Sequence, residues 1–342
     1  MNSRERVQTC LDHRNPDRCP IHTSITPEFA VRLGDRLLEV FLRQDLMTTS
    51  VGWANAYYQG FDEYTDEWGV GWRRVVYHTK FGDGAYTEIV GHPLAEDSAI
   101  ESYSAPDPHR PELYHEAEKI VREYGKEHYI VGEVVCTIFE TAWALRGLER
   151  TLMDFVVNPE LLERLFDITL NYHAIAAQRL VETGVDMIWL GDDVGSQQAM
   201  MISPEMWRRF LKPRMAALIS SLKAMKPSVK IAYHSDGVIY PVIPDLIEIG
   251  VEVLNPVQPA CMDVGRLKKE YGEILCFWGT IDEQHTLPFG TPELVRAEVF
   301  ERFRSAGEGG GLILGPTHNV QLDTPLENFW AMVEAIRETR YR

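Results

Sequence analysis

Two histidines and a series of carboxylates carry most of the chemistry this sequence could perform. His234-Ser235-Asp236 sets an imidazole and a carboxylate two residues apart, a spacing that can aim both side chains at one point when it ends a strand. His318 offers a third ligand, and two imidazoles with one carboxylate suit Zn²⁺ while leaving a fourth position open for water or substrate. A purely hydrogen-bonding His234 fits the same residues. Glu133, inside an apolar run, is a further candidate ligand or buried acid, because an isolated buried charge needs a partner. An outward-facing, solvated Glu133 is the alternative. Asp192-Asp193 can pair carboxylates for acid–base work, since proximity raises one pKa, or can cap the turn that follows them.

These residues share a position in the pattern. The candidate strands are Tyr129–Val135, Met187–Leu190, Lys230–Tyr233, Val251–Leu254, Ile274–Trp278 and Leu312–Leu314, each short and apolar as a strand buried on both faces should be. The polar groups follow them: Asp192 and Asp193, His234 and Asp236, Asn255 and Gln258, Thr280 and Asp282, and His318, Asn319 and Gln321. Helical patterns separate the strands, and Asn158-Pro159, Ser203-Pro204, Thr291-Pro292 and Thr324-Pro325 each place a capping side chain before a proline at the first helical position. The helix from Pro159 is expected to run to Thr183, with Gly184 as its stop. Alternating strands and helices indicate an α/β fold with a parallel sheet, here a (β/α)₈ TIM barrel whose strand ends converge on one rim. On that rim Asp192, Asp193, His234 and His318 are candidate catalytic residues. Gln197, Asn255, Gln258 and Asn319 are candidate substrate contacts, and His234, Asp236 and His318, with Glu133 behind them, are the candidate metal ligands.

The first third is less regular. Met1–Asp12 reads as a helix and Arg18–Thr23 as the first barrel strand. The stretch from Gly52 to about Val90 is rich in Trp, Tyr, Gly and Asp and reads as a β-hairpin insertion, either a lid over a ligand or packing over one barrel end. Gly309-Gly310-Gly311 lacks the lysine of a phosphate loop and precedes a strand, so it reads as a tight turn. No internal repeat or linker divides the 342 residues, which are expected to form one domain.

Composition narrows the function classes. Thirty-four Lys and Arg stand against 51 Asp and Glu, a net charge of −17 that argues against nucleic acid as a partner. No apolar run has the length of a membrane span, and Met1–Arg6 has no apolar core of a signal peptide, so a cytoplasmic protein is expected. The five cysteines are scattered without a CxxC pair and read as reduced thiols.

In this order the motifs resemble the uroporphyrinogen decarboxylase superfamily, which also holds corrinoid-dependent methyltransferases. The resemblance rests on Arg4–Val7 through Pro16–Pro20, Asp66-Glu67-Trp68-Gly69, Gly191–Gln197, His234–Gly237, Asn255–Pro259, and His318–Pro325 with Glu327-Asn328. It implies a (β/α)₈ barrel. True decarboxylases of this superfamily carry an arginine-bearing segment after the first strand for the porphyrinogen carboxylates. Here that stretch reads His22-Thr23-Ser24-Ile25-Thr26-Pro27, without arginine. The thiol-methylating branch holds zinc with an H-x-C step and a later cysteine. His234-Ser235-Asp236 and His318 replace them, a harder donor set suited to polarising an ether or hydroxyl oxygen. The resemblance therefore implies methyl transfer from an O-methyl compound, a methoxylated aromatic, to the cobalt of a corrinoid carried by a partner protein. His234, Asp236 and His318 would hold zinc or donate a proton, and Asp192 and Asp193 would orient the small-molecule donor. A uroporphyrinogen decarboxylase-like carboxy-lyase is the alternative enzyme, and a non-catalytic barrel that captures a small ligand is the alternative from another class.

Overall fold

A computed structural model of the chain describes residues 1–57 and 59–341. Its main sheet has seven strands, all parallel, in the order β1 (Leu46–Ser50), β5 (Tyr129–Glu133), β6 (Met187–Gly191), β7 (Lys230–His234), β8 (Val253–Asn255), β9 (Cys276–Ile281) and β10 (Leu312–Pro316). The six strands expected from the sequence are all present, with ends shifted by one to three residues. Leu46–Ser50 joins them as a strand that Thr48, Thr49 and Ser50 disguise as polar. The three strands missing from this count, β2 (Glu63–Thr65), β3 (Gly71–Thr79) and β4 (Gly82–Gly91), form a separate antiparallel sheet. The expected hairpin is thus β3–β4 with a third strand added. Tyr58, in the same aromatic segment, lies outside the described residues.

Strand Arg18–Thr23 does not form as expected. Ile21 makes a single parallel bridge to Leu314. His22 N donates to Leu314 O at 3.1 Å, Leu314 N to Pro20 O at 3.0 Å, and Asp45 N to Ile21 O at 2.9 Å. The segment therefore touches β10 on one side and the residue before β1 on the other, without becoming a ladder. Pro20 has no N–H to contribute, and Cys19 N is committed to Thr339 Oγ1 at 2.9 Å. Side chains hold the seam instead. The buried Asp45 carboxylate accepts from Arg18 at 2.6 Å, Arg6 at 2.7 Å and Ile21 N at 2.9 Å.

The sheet curls around its own core. Leu46, Tyr129, Val131, Met187, Ala232, Val253, Cys276, Trp278 and Ile313 pack inside it, and Val7, Cys10 and Leu11 of helix Ser3–Leu11 join that cluster from below. A larger cluster fills the space between the outer sheet face and the surrounding helices. Helix Pro159–Thr183 ends at Gly184 with φ 103°, the left-handed stop its sequence announces. Ser203 and Thr291 cap their helices by accepting from Met206 N and Leu294 N. Asn158 and Thr324 do not: Asn158 donates instead to Asp154, and the last helix begins at Leu326. No described helix is long and apolar enough to cross a membrane.

Candidate active site

Side chains on a strand alternate between faces, so every inner core residue has a same-face neighbour two positions nearer the strand's carboxyl end. Val131 leads to Glu133, Met187 to Trp189, Ala232 to His234, Val253 to Asn255, and Cys276 to Trp278. Register brings these ends side by side: Ser50 pairs with Glu133, Glu133 with Trp189, and His234 with both Gly191 and Asn255. The result is a cavity of about 510 Å³ at the carboxyl ends of the strands. Its lining includes Glu133, Trp189, His234, Asn255 and Trp278 from the strands, Asp193, His318 and Asn319 from the loops, and Asn55 and Tyr57 from the segment leading into β2.

The aromatic floor is continuous. Trp189 and Trp278 lie 4.5 Å apart between ring centroids, the His22 ring meets Trp278 edge-on at 5.0 Å, and Trp189 meets His234 edge-on at 5.6 Å. Burial pushes His22 down to about 4, so its ring is neutral.

Above the floor, Asp193, His234 and Asp236 each bring one ligand atom within 4.8 Å of the others. Asn255 Oδ1 accepts from His234 Nδ1 at 2.8 Å, while Asn255 Nδ2 donates to Trp278 O at 3.3 Å, which fixes which end of the amide faces the ring. The neutral ring therefore carries its proton on Nδ1 and presents a lone pair at Nε2, 3.6 Å from Asp193 Oδ1. Asp193 Oδ1 also accepts from Asp236 N at 2.7 Å, tying the two loops together. Asp236 Oδ1 is buried without a hydrogen-bond partner, a costly state that a cation would relieve. Burial opposes charging of His234, but Asp193 and Asp236 outweigh it and raise the ring above its ordinary value. Burial raises the Asp236 carboxyl, against the pull of His234. One imidazole and two carboxylates, one of them with an orphaned oxygen, make a donor set fit for a divalent cation.

Two glycines allow the approach. Gly191 has φ 130°, and a Cβ there would lie 2.1 Å from His234 O, so the turn that delivers Asp193 to the cluster requires glycine. At Gly315 a Cβ would lie 1.9 Å from His22 O, at the seam.

The residues proposed from sequence divide cleanly. His234, Asp193, Glu133, Asn255, His318 and Asn319 all line the cavity. His318 is exposed and lies outside the clustered three, its expected place taken by Asp193. Asp192 is fully buried and faces away from the cavity lining. Its carboxylate accepts from Ile138 N at 2.9 Å and Glu140 N at 3.0 Å, anchoring the start of helix Phe139–Arg146, and burial pushes it up to about 6. Gln258 is buried beneath the loop, where Oε1 accepts from Gly237 N at 2.7 Å and so supports the His234–Asp236 step from behind. Gln197 is exposed on the adjoining loop, against Cys261. Adjacency to a strand end puts these last three near the site, and the contacts their side chains make are with the loops that carry it.

Sequence reasoning missed several lining residues. Trp189 and Trp278 sit within strands, where the alternation just described would have found them. Glu140 gave no local signal. Its Oε2 accepts from Asp193 N at 2.9 Å, and burial together with the Asp193 and Asp192 charges raises it well above the usual carboxylate range. Glu133 is pushed up to about 7 by burial, with His234 pulling the other way.

Residues 77–339 match the sequence profile of the uroporphyrinogen decarboxylase (URO-D) family. The methylcobamide:CoM methyltransferase MtaA of Methanosarcina barkeri is 29% identical over 221 residues, which cover 64% of this chain and 61% of that protein. The uroporphyrinogen decarboxylase of Coxiella burnetii is 23% identical over 180 residues, covering 52% of this chain and 46% of the relative. This chain thus spans about three fifths or less of those relatives' own length. A solved methyltransferase from Methanosarcina mazei superposes with a TM-score of 0.74 at 21% identity, covering 99% of both chains, so the two share a fold. With the profile matched over well more than half of its length, the chain belongs to the uroporphyrinogen decarboxylase family.

Proposed function

We propose that this protein, its 342 residues acting as one domain, is a corrinoid-protein-dependent methyltransferase. Its donor is an O-methyl compound, a methoxylated aromatic, and its methyl acceptor is the cobalt of a corrinoid carried by a partner protein. The observation that carries this reading is the Asp193–His234–Asp236 cluster set over an aromatic floor. It joins a site for a flat ring to a hard donor set, whereas a thiol-activating site would call for thiolates. Relatives named for methylcobamide chemistry support the corrinoid, and a Methanosarcina mazei relative named as a methylated-thiol–coenzyme M methyltransferase, 24% identical over 201 residues, supports methyl transfer more broadly.

Asp193, His234 and Asp236 would hold a zinc ion, with His318 on the same rim as a further donor from the loop after β10. Such an ion supplies Lewis acidity to the ether oxygen whose bond to methyl must break. The chain's own residues do the rest. Trp189 and Trp278 orient the ring, and Asn255 keeps the His234 lone pair directed into the cavity. Asn319 contacts the substrate at the mouth. Glu133 holds a proton near neutral pH and can deliver it to the departing oxygen, since an unassisted alkoxide or phenoxide is a poor leaving group. Glu140 fixes Asp193 through its backbone.

The test is methylation of an added corrinoid protein, followed by the cobalt absorption spectrum, across methyl ethers, thiols and amines. Methyl ethers should give methylcobalt. Failure across the panel with metal-loaded protein overturns the proposal, and CO₂ release from an aromatic acid in its place would establish the carboxy-lyase.

A further inference from the structure

A second pocket lies at the amino ends of the strands, the end opposite the cavity. Glu127 and His128, which immediately precede β5, line it with Asn2 and Ser3 at the start of helix Ser3–Leu11. Arg6, Arg18 and Arg337 complete its polar wall, and its volume is about 320 Å³. Three guanidiniums thus meet on a chain whose net charge is −17. Two of them have carboxylate partners. Arg6 donates to Asp17 and to Asp45, both at 2.7 Å, and Arg18 donates to Asp45 at 2.6 Å. Arg337 has no such partner among the described residues, and its Nη1 donates to Arg43 O at 3.2 Å. Burial lowers Arg337 from its ordinary value and the Arg18, Arg43 and Arg6 charges add to that, against the pull of Asp45. Glu127, the acidic residue on the lining, is exposed to solvent.

Two further observations point the same way. His128 Nδ1 is buried without a hydrogen-bond partner, so the pocket wall holds an unmet polar group. The amino end of helix Ser3–Leu11 adds the positive pole of its dipole to the same space. A partly buried guanidinium without a counter-ion, set among other guanidiniums, is costly, and an anion beside it removes that cost. Arginine's planar fork of donors matches the oxygens of a phosphoryl group two at a time, a geometry that a spherical chloride ion cannot use.

We infer that this pocket is an oxyanion site that takes a phosphoryl group, free or on a small ester, through Arg337 with His128 and the first turn of helix Ser3–Leu11. Occupancy also braces the seam of the sheet, because Arg6 and Arg18 hold the Asp45 carboxylate that accepts from Ile21 N at 2.9 Å. The site shares no residue with the cavity that holds Asp193 and His234, so it stands independently of the chemistry proposed there.

The probes are inorganic phosphate and adenosine 5′-monophosphate. Their binding to metal-loaded protein is measured calorimetrically, with chloride holding the ionic strength constant. Arg337→Gln should weaken binding at least about tenfold, because hydrogen bonds to a charged group are lost. Arg337→Lys, which keeps the charge without the fork, should fall between, and it carries the test if thermal melting in chloride shows the glutamine variant unfolded. An Asp193→Asn, Asp236→Asn double variant should bind as the wild type does. Affinity lost in that double variant but kept in Arg337→Gln would put the anion on the cavity's metal and overturn the inference. Equal affinity in the wild type and both Arg337 variants, or no binding of either probe at millimolar concentration, overturns it too. Where binding depends on Arg337, a tighter nucleotide identifies the ligand as a phosphate ester and a tighter phosphate identifies the free ion.

Discussion

Replacing Asn255 with leucine isolates the one contact that prepares His234 for a ligand. Asn255 is almost fully buried; its Oδ1 takes the His234 Nδ1 proton at 2.8 Å and its Nδ2 anchors to Trp278 O at 3.3 Å. Leucine keeps the approximate volume and removes both bonds. The Nδ1 proton then sits in a desolvated space without an acceptor, at a cost of roughly 1–3 kcal/mol, and the ring regains the freedom to move its proton to Nε2. A ring protonated at Nε2 cannot donate that lone pair to a metal. Outer contacts of this kind are typically worth about 10–100-fold in metal affinity, which is about 1.4–2.7 kcal/mol. Asn255→Leu should therefore weaken Zn²⁺ binding by that factor, while Asn255→Asp, which still accepts from Nδ1, should restore most of it. The assay is competition against a chromophoric chelator, with thermal melting of both metal-free variants to establish that they fold. Wild-type zinc affinity in a folded leucine variant would refute the argument, because it would mean that the ring needs no acceptor to present Nε2.

Other substitutions separate chemistry from support. Glu133→Gln keeps the shape but cannot release a proton to a leaving oxygen, so kcat should fall by about 10²–10⁴ with binding of the aromatic donor preserved; an unchanged kcat in steady-state assays removes Glu133 from the mechanism. Asp192→Ala should cost about 2–3 kcal/mol in denaturant unfolding, because the amides of Ile138 and Glu140 lose their acceptor. The folded fraction should keep kcat within a few-fold, and a hundredfold loss there would return Asp192 to the active site. Gly191→Ala forces a Cβ against His234 O at a backbone angle alanine avoids, and should destabilise by at least about 3 kcal/mol, seen as a lowered Tm. His173 gives the pH dependence. It is buried, donates from Nδ1 to Thr169 O at 2.9 Å and accepts at Nε2 from Trp53 N at 3.2 Å, and burial lowers it to about 4. Its neutral form is favoured by folding, so the stability it contributes is present above pH 6.5 and is lost as pH falls toward 4, by about 3 kcal/mol in all. Equilibrium unfolding across that range should show this slope and His173→Gln should flatten it; identical slopes would place the acid sensitivity elsewhere.

How much of this could be read from the chain depended on whether the signal was periodic. Strands such as Met187–Gly191 and Leu312–Pro316 are visible as apolar runs between capped helices, and the polar residues following them fall on one rim because parallel strands point one way. Leu46–Ser50 escaped notice because three of its five residues are polar, and the seam at Pro20–His22 was overread because apolar character does not reveal a missing N–H donor. His234 and Asp236 were legible as a short-range step. Their third partner was not, since nothing in sequence distinguishes Asp193 from Asp192. One position decides whether a carboxylate reaches the cavity or turns back to the amides of Ile138 and Glu140.

That contrast between adjacent aspartates explains how the site is held in shape. Asp192 ties the end of β6 to the start of helix Phe139–Arg146 through backbone amides, and Glu140 on that helix returns the contact by accepting from Asp193 N. Asp193 in turn accepts from Asp236 N, so the turns after β6 and β7 are joined through a residue of the cluster itself. Each link uses a carboxylate to satisfy backbone N–H groups that would otherwise be buried unpaired. A loop fixed this way has few alternatives, which is what a ligand cluster needs to avoid reorganising when a cation binds. The cost is a crowded set of acidic groups. Burial raises Glu140 and Asp192 above the usual carboxylate range and the neighbouring Asp193 charge adds to the rise, so a cation beside Asp193 and Asp236 would offset that part of it. Metal binding should therefore stabilise the fold as well as equip the site. A chelator should lower Tm in the wild type and leave an Asp193→Asn, Asp236→Asn double variant unmoved, and an equal drop in both would show that the cluster does not hold the ion.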